Sequence, residues 1–258
     1  MEPKIWGEMT SDEIGIMKEK GGVVLLPIGA VEQHGSHLPV DMDIHGAWEV
    51  SKEVARRLPY TIVAPPVWWG LSGQHRKFPG VLTLKPKTFY NLLMDLCNSI
   101  VNQGFKKIVL VVGHASNKPL VNLLVSQFME DTGVPLLQLN YINFGLEKYK
   151  EIRKSKIGGE AHAGELETSL EMYLRPGQIN IESADIHYID SKRDFGISSA
   201  LQDILKPAKA VIGYDLKSSF PKGVMGDPTV ASEKTGETVF KVIVDSFCEI
   251  IEEYNQMK

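Results

Sequence analysis

The fold of this chain is indicated first by a run of six apolar residues, Val23-Val24-Leu25-Leu26-Pro27-Ile28. The run has no polar position, which is typical of a strand in a parallel sheet that is covered on both faces. Three further short apolar runs follow along the chain, at residues 61–64, 107–112 and 134–139. The sequence therefore predicts four buried strands.

Amphipathic stretches with helical spacing lie between and after these runs. Apolar residues recur on one face over 47–58, 89–101, 120–128 and 240–251, and a shorter helix is predicted over 163–174. The alternation of strands and helices predicts an α/β sandwich, which we expect to form a single domain over residues 1–258. The stretch 181–227 has weak periodicity, and we predict long loops that serve function or an oligomer contact.

The composition excludes several classes of protein. The chain has 258 residues with 28 Lys and Arg and 32 Asp and Glu, and its net charge of −4 gives no electrostatic basis for binding nucleic acid. No apolar run reaches the roughly 20 residues that a membrane span needs. Both cysteines lie at apolar positions of helical patterns, which argues against disulfides and favours a reducing compartment. We therefore expect a cytoplasmic protein.

Potential metal ligands are concentrated directly after the first predicted strand. Glu32, His34, His37, Asp41 and Asp43 fall within twelve residues, and these side chains bind first-row divalent cations. The alternative is a polar surface loop that caps a helix. We favour a metal site because the loop leaves the carboxyl end of a buried strand, where α/β folds place their ligands.

Two later stretches carry further candidate ligands. His114 follows the strand at 107–112 and would project from the same edge of the sheet. His162 precedes the helix at 163–174 and is a candidate general acid and base. Glu167 lies on or beside the apolar face of that helix, so its carboxylate must be paired or bind a metal. We expect Glu165 to face solvent or the helix N-terminus.

The loop of residues 68–80 is a candidate substrate-binding loop. It follows the second predicted strand and combines two tryptophans with the hydroxyl of Ser72, the imidazole of His75 and several glycines. The alternative is an ordinary connection between a strand and a helix, with a few packed aromatic residues.

Taken together, these stretches resemble the creatininase (creatinine amidohydrolase) family. The similar motifs are Glu-Gln-His-Gly-x-His-Leu-Pro over 32–39 with the following Asp43, the Gly-x-Ser, His and Phe-Pro-Gly positions of 70–80, Gly113-His114 with Asn117, His-Ala-Gly-x-x-Glu-Thr-Ser over 162–169, and Gly-Asp-Pro over 226–228. The motifs occur in the family's order and span most of the chain.

The resemblance implies a three-layer α/β/α sandwich with a mostly parallel central sheet. It implies a hydrolase that cleaves an amide, cyclic amide or formamide C–N bond of a small molecule through a metal-activated water. Two divalent ions (Zn, Mn or Fe) would be held, one by Glu32, Asp43 and His114, the other by His34 and the shared Asp43. His162 matches the family's catalytic histidine. Homo-oligomers, such as a hexamer, are also typical of the family.

One departure from creatininase concerns the second metal site. Creatininase has a carboxylate two residues after the histidine of its Gly-His turn, where this chain has Ser116. Glu167 is the expected replacement as a metal ligand. Ser72 matches a substrate-contact position of the family, and we group His75 and Ser116 with it as substrate-binding residues.

A second departure concerns the substrate. Creatininase has a Trp-Asp pair before its His-Ala-Gly motif, where this chain has Gly158 and Gly159, so we do not expect creatinine as the substrate. Within the family, the alternatives are a formamidopyrimidine-type deformylase and a mycofactocin-type peptidase. From a different class, the alternative is a non-catalytic α/β module that binds a metal or a ligand.

Overall fold

A computed structural model describes residues 2–196, 203–206, 209–210 and 212–257. Its main sheet has four strands: β1 Val23–Ile28, β2 Thr61–Val63, β3 Lys107–Val112 and β4 Leu136–Asn140. Their order in the sheet is β2-β1-β3-β4, and all three pairings are parallel. The four predicted strands are therefore present, each within two residues of its predicted ends.

Helices connect and flank these strands. Those in the described part of the chain are α1 Ser11–Glu19, α2 Met42–Arg57, α3 Pro86–Asn102, α4 Lys118–Thr132, α5 Leu146–Ile152, α6 Glu165–Leu174, α7 Ser191–Phe195, α8 Leu216–Ser219 and α9 Glu233–Gln256. The five predicted helices correspond to α2, α3, α4, α6 and α9. Helix α1, which we did not predict, begins with a capping box between Thr10 and Glu13.

The two faces of the sheet carry separate cores. Side chains of a strand alternate between faces, and Val24 and Leu26 point toward α3 and α4. Val23 and Leu25 point to the opposite face, where the core is completed by α2, α6 and α9. Because helices cover both faces, neither set of strand side chains is polar. The predicted three-layer α/β/α sandwich is confirmed.

Tight backbone packing holds the start of α2 against the carboxyl edge of the sheet. A Cβ added to Gly113, just after β3, would lie 2.0 Å from the backbone oxygen of Asp43. A Cβ added to Gly29, just after β1, would lie 2.4 Å from the Cα of Ile44. Glycine is therefore required at both positions by close approach, and the first turn of α2 is fixed beside the ends of β1 and β3.

A small antiparallel pair completes the fold beside the main sheet. Strand β5, Glu160–His162, pairs with β6, Met225–Gly226. The stretch 181–227, predicted to consist of loops with short elements, contributes α7, α8 and β6, while its residues 197–202, 207–208 and 211 lie outside the described part. Among the described residues, no helix has the length and apolarity needed to cross a bilayer.

Candidate metal centre

Three buried side chains from different segments meet at the carboxyl edge of the sheet. Glu32 follows β1, Asp43 lies in the first turn of α2, and His114 follows β3. His114 Nδ1 is 3.0 Å from Asp43 Oδ2, and His114 Nε2 is 3.4 Å from Glu32 Oε2. One potential ligand atom from each of the three lies within 4.8 Å of the others. The structure thus brings together the first predicted ligand set.

A second group of potential ligands adjoins the first through the same aspartate. His34 Nε2 lies 3.5 Å from Asp43 Oδ1 and 4.0 Å from Glu167 Oε2. His34, His162 and Glu167 also offer ligand atoms within 4.8 Å of one another. The two oxygens of Asp43 therefore face different histidines, so one carboxylate contacts both groups.

Backbone carbonyls orient the two histidines that contact Asp43. His34 Nδ1 lies 3.1 Å from the carbonyl oxygen of Glu32, and a proton on that nitrogen leaves Nε2 facing the carboxylates. His114 Nε2 lies 3.3 Å from the carbonyl oxygen of Leu71, which leaves Nδ1 facing Asp43. Hydrogen bonds of this kind fix the tautomer and ring orientation of metal-binding histidines.

Burial and neighbouring charges shift the pKa values of the cluster residues. Burial raises the pKa of Glu32 to about 7. Burial would lower the pKa of His34, but the carboxylates of Asp43, Glu167 and Glu32 together raise it to about 10. In the same way, Glu32 and Asp43 raise the pKa of His114 to about 9 against the effect of burial. Burial would raise the pKa of Asp43, but the two histidines hold it below its usual range.

The donor atoms of the cluster fit a metal. Glu32 Oε2, His34 Nε2 and Asp43 Oδ2 are buried and have no hydrogen-bond partner among the described residues. Buried polar atoms without partners are uncommon, and each needs an explanation. Glu32 Oε2 and Asp43 Oδ2 belong to the first group and His34 Nε2 to the second. Oxygen and imidazole donors of this kind suit Zn²⁺, Mn²⁺ and Fe²⁺. A divalent cation in each group would satisfy these atoms.

Comparison with known proteins agrees with this geometry. Residues 7–251 match the family model "Creatininase: Creatinine amidohydrolase". The chain belongs to the creatininase family. The predicted resemblance is confirmed, and with it hydrolysis of a C–N bond as the family's kind of reaction.

Relatives within the creatininase family differ in the substrates that they are named for. The chain is 29% identical to a mycofactocin precursor peptide peptidase of Mycolicibacterium smegmatis, over 90% of this chain and 85% of the relative. It is 26% identical to a 3-dehydro-scyllo-inosose hydrolase of Thermotoga maritima, over 92% of this chain and 79% of the relative. A crystal structure of creatinine amidohydrolase superposes with a TM-score of 0.84, 22% identity and full coverage of both chains, which supports the fold.

Two histidines of this creatininase-family site, His75 and His162, form a third group of potential ligands with Glu32. His75 is buried, and its Nε2 is 3.2 Å from Glu32 Oε1. The ring of His162 lies 4.3 Å from the ring of His34 and 4.8 Å from that of His75. Burial lowers the pKa of His75 to about 3, and burial also lowers the pKa of His162 well below its usual value.

A cavity of about 520 Å³ opens onto the cluster. Besides the titratable cluster residues, it is lined by polar side chains, which include Gln74, Ser116, Asn140, Asn143 and Tyr214, and by apolar ones, which include Ile142, Ile204, Ile212 and Met225. Ser116 therefore lies where a substrate can reach it. Ser72 is fully buried beside the carboxyl of Glu32 and is not among the residues that line the cavity.

The glycines that replace the Trp-Asp pair lie in tight backbone contacts. Gly158 has a φ of +90°, and an added Cβ would lie 2.7 Å from the carbonyl oxygen of Ile189. An added Cβ at Gly159 would lie 2.6 Å from the Cβ of Ser155. Side chains at these two positions would clash with the chain as it is folded here.

The expectation that Glu165 faces solvent or the helix N-terminus is wrong. Its side chain is fully buried, and its carboxylate accepts hydrogen bonds from the backbone N–H groups of Lys154 and Ser155 and from the hydroxyl of Tyr149. Three donors satisfy the carboxylate, so its burial is tolerated. Gln33, for which we predicted no role, lies inside the first motif and contacts His75 and His162.

Proposed function

We propose that this protein is a binuclear metal-dependent amidohydrolase that acts on a non-peptide C–N bond of a small molecule. The observation that carries the proposal is the shared carboxylate of Asp43, whose two oxygens face His34 and His114. With Glu32 added on one side and Glu167 on the other, this arrangement offers two neighbouring sets of oxygen and nitrogen donors. We propose Zn, Mn or Fe as the ions.

The chain's own residues would hold the ions and handle the proton. Glu32, Asp43 and His114 would hold one ion, and His34, Glu167 and the shared Asp43 the other. When bound, the ions would lower the pKa of a water and polarise the substrate carbonyl. We assign to His162 the transfer of a proton to the leaving nitrogen, because its imidazole stands beside both donor sets.

The cavity supports a small substrate. Its volume of about 520 Å³ lies within the roughly 300–1,000 Å³ of small-molecule sites. The amides of Gln74, Asn140 and Asn143 can donate and accept hydrogen bonds, which suits a neutral amide or cyclic amide. We propose that Ser116 and His75 contact the substrate. Ser72 would act through Glu32 or reach the substrate only after rearrangement of its loop.

A reconstitution experiment tests this proposal. The protein is stripped with a chelator, reloaded with Zn²⁺, Mn²⁺ or Fe²⁺, and its metal content is measured by mass spectrometry. We expect two equivalents per chain. Amine release is then followed with creatinine, cyclic amides, formamides and short peptides. Full metal content without hydrolysis of any of these would instead favour a non-catalytic binding module, and no metal uptake would refute the site.

A peptide is the second candidate substrate. It is favoured by the relative at 29% identity, which is named as a peptidase of the mycofactocin precursor. The same panel separates the two candidates, because release of a terminal residue from peptides without cleavage of small amides would assign the chain to the peptidase branch.

We also propose that the chain forms a homo-oligomer. Trp68 and Trp69 are adjacent in sequence, and 43% and 47% of their surfaces are exposed in the single chain. Large aromatic residues are enriched in protein interfaces. Light scattering on the metal-loaded protein gives the number of chains, and a monomer at micromolar concentration would contradict this proposal.

A further inference from the structure

The side chain of Gln33 connects two of the histidines at the metal centre. Its Nε2 lies 3.0 Å from His75 Nδ1, 3.1 Å from His162 Nε2 and 3.1 Å from the carbonyl oxygen of Gly223. An amide nitrogen carries only two hydrogens, so it cannot donate to all three groups. Which hydrogen bonds form decides where the imidazole protons lie.

Backbone groups at both ends of the amide fix its orientation. The N–H of Gly35 donates to Gln33 Oε1 at 2.9 Å, and Gln33 Nε2 donates to the carbonyl oxygen of Gly223. A reversed amide would place a donor against the Gly35 N–H and an acceptor against the Gly223 carbonyl. Because neither backbone group can exchange its role, the nitrogen must face the two imidazoles, and one hydrogen remains for them.

The backbone carbonyl of residue 33 decides which imidazole receives this hydrogen. His162 Nε2 lies 2.8 Å from that carbonyl oxygen, which only accepts, so Nε2 of His162 carries a proton. A protonated nitrogen cannot accept from Gln33, so the free hydrogen of the amide goes to His75 Nδ1. His75 then carries its proton on Nε2, 3.2 Å from Glu32 Oε1, and donates to that carboxylate.

The contact between Gln74 and His75 agrees with this assignment once the side-chain amide of Gln74 is rotated by 180°. The amide nitrogen of Gln74 lies 3.2 Å from His75 Nε2, which would set two donors against each other. Gln74 is exposed at the mouth of the cavity. Turning its amide by 180° presents the oxygen to the N–H, and the assignment of O and N in such amides is decided by the hydrogen-bond network.

We propose that Gln33 is a positioning residue that fixes the tautomers of His75 and His162. His162 thereby presents Nδ1 to the ligand cluster, where this atom lies 3.9 Å from Glu32 Oε1. Nδ1 is then the one ring nitrogen of His162 that can take up and release a proton at the reaction centre. His75 in turn holds the carboxylate of Glu32 by donating to it.

Gly223 keeps Gln33 in place. Its φ is +75°, and an added Cβ would lie 1.8 Å from Gln33 Oε1. This glycine belongs to the stretch 181–227, which we predicted to serve function or an oligomer contact, and its carbonyl is one of the two backbone groups that orient the amide. The inference depends on the proposed function only for its consequence in the reaction, since tautomers exist with or without a substrate.

The test is a long-range ¹H–¹⁵N correlation spectrum of the histidine side chains, recorded on full-length protein labelled with ¹⁵N-histidine, metal-free and loaded with Zn²⁺. His75→Asn and His162→Asn variants assign the resonances. In the wild type, we expect a protonated Nε2 on both rings and an unprotonated Nδ1 on His75. A proton on Nδ1 of His75, or an unprotonated Nε2 on His162, overturns the proposal without any variant of Gln33.

A near-isosteric substitution of Gln33 tests whether this residue causes the tautomer of His75. Gln33→Glu keeps the acceptor for the Gly35 N–H but replaces the donor with a second acceptor. We expect Nδ1 of His75 to gain a proton, while His162 keeps its proton on Nε2 because its partner is backbone. Gln103→Glu makes the same change on the exposed end of α3 and should move neither ring. An unchanged His75 in Gln33→Glu refutes the positioning role.

The spectra and the metal analysis can fail separately. Correct tautomers in a protein that takes up no metal would leave the role of Gln33 standing and remove the proposed function. Two bound equivalents of metal in a protein with the opposite tautomers would remove the role of Gln33 and leave the proposed function standing.

Discussion

Replacing Asp43 with asparagine should empty both metal positions at once. The substitution keeps the shape of the side chain but removes the charge and turns one oxygen into an N–H donor. Asp43 Oδ1 faces His34 and Asp43 Oδ2 faces His114, at 3.5 and 3.0 Å. Whichever oxygen is lost, the remaining neutral amide is a poor ligand for two cations, so we expect fewer than half an equivalent of metal per chain.

The size of the effect on thermal stability follows from mass action. When the free metal concentration is 100 times the dissociation constant of a site, metal binding there stabilises the folded chain by about 2.7 kcal/mol. Two independent sites therefore give about 5 kcal/mol. For a chain of this length, 1 kcal/mol shifts Tm by roughly 2–4 °C. A chelator should therefore lower the Tm of the wild type by roughly 10–20 °C. In Asp43→Asn the chelator should change Tm by less than about 3 °C.

Differential scanning calorimetry with and without chelator, together with elemental analysis, measures both quantities. Asp131→Asn, an exposed substitution on α4, is the matched control and should behave as the wild type. The reasoning is refuted if Asp43→Asn binds two equivalents of metal or loses as much Tm with chelator as the wild type. A variant that retains one equivalent would show that Asp43 is not shared.

Four further outcomes are expected. His162→Ala should bind both metals but lose kcat by a factor of about 10²–10⁴, and unchanged turnover would remove its role in proton transfer. Glu167→Gln should lose one of two metal equivalents, because this carboxylate lies near His34, 4.0 Å away, in the second group alone; retention of both would reassign that position. In the metal-free protein at pH 8, His34 and His114 are protonated, because their pKa values are raised to about 10 and about 9. Metal binding should therefore release about two protons, measured by calorimetry in buffers of different ionisation enthalpy, and near-zero release would contradict this. Both pKa values are raised above the ordinary 6.5, so protonation of the two histidines stabilises the folded metal-free protein. This stabilisation is complete below pH 6.5 and is lost as the pH rises toward 10. Urea unfolding should therefore give a larger free energy of unfolding at pH 6.5 than at pH 9.5, and equal values would contradict the raised pKa values.

The layered fold could be predicted because strands covered on both faces leave a clear mark in the sequence. The run at 23–28 has no polar position, and neither face of β1 is exposed in the structure. The start of α2 was predicted five residues too late, at 47 rather than Met42. Its first turn carries Asp43, a buried polar residue that breaks the apolar periodicity on which helix prediction depends.

The candidate ligands could be predicted because they lie near the carboxyl ends of strands or within dense motifs. Glu32 and His114 follow β1 and β3, which are adjacent and parallel, so their side chains meet at one sheet edge. The burial of Glu165 could not be foreseen in the same way. Its two backbone donors come from 154 and 155, in an irregular stretch after α5, and no periodic pattern links those backbone groups to a carboxylate on α6.

Part of the weak patterning of the stretch 181–227 is explained by the backbone groups that its residues 223 and 226 contribute. Gly226 pairs with Glu160 in β5, and Gly223 offers its carbonyl to Gln33. Both contributions are made by backbone groups at positions where a side chain would clash, since an added Cβ at Gly226 would lie 2.7 Å from the carbonyl oxygen of Gly159. A segment that supplies carbonyls and close approach needs glycine rather than an apolar face. Hydrophobic periodicity therefore cannot detect such a segment, even where it supports the imidazoles of the metal centre.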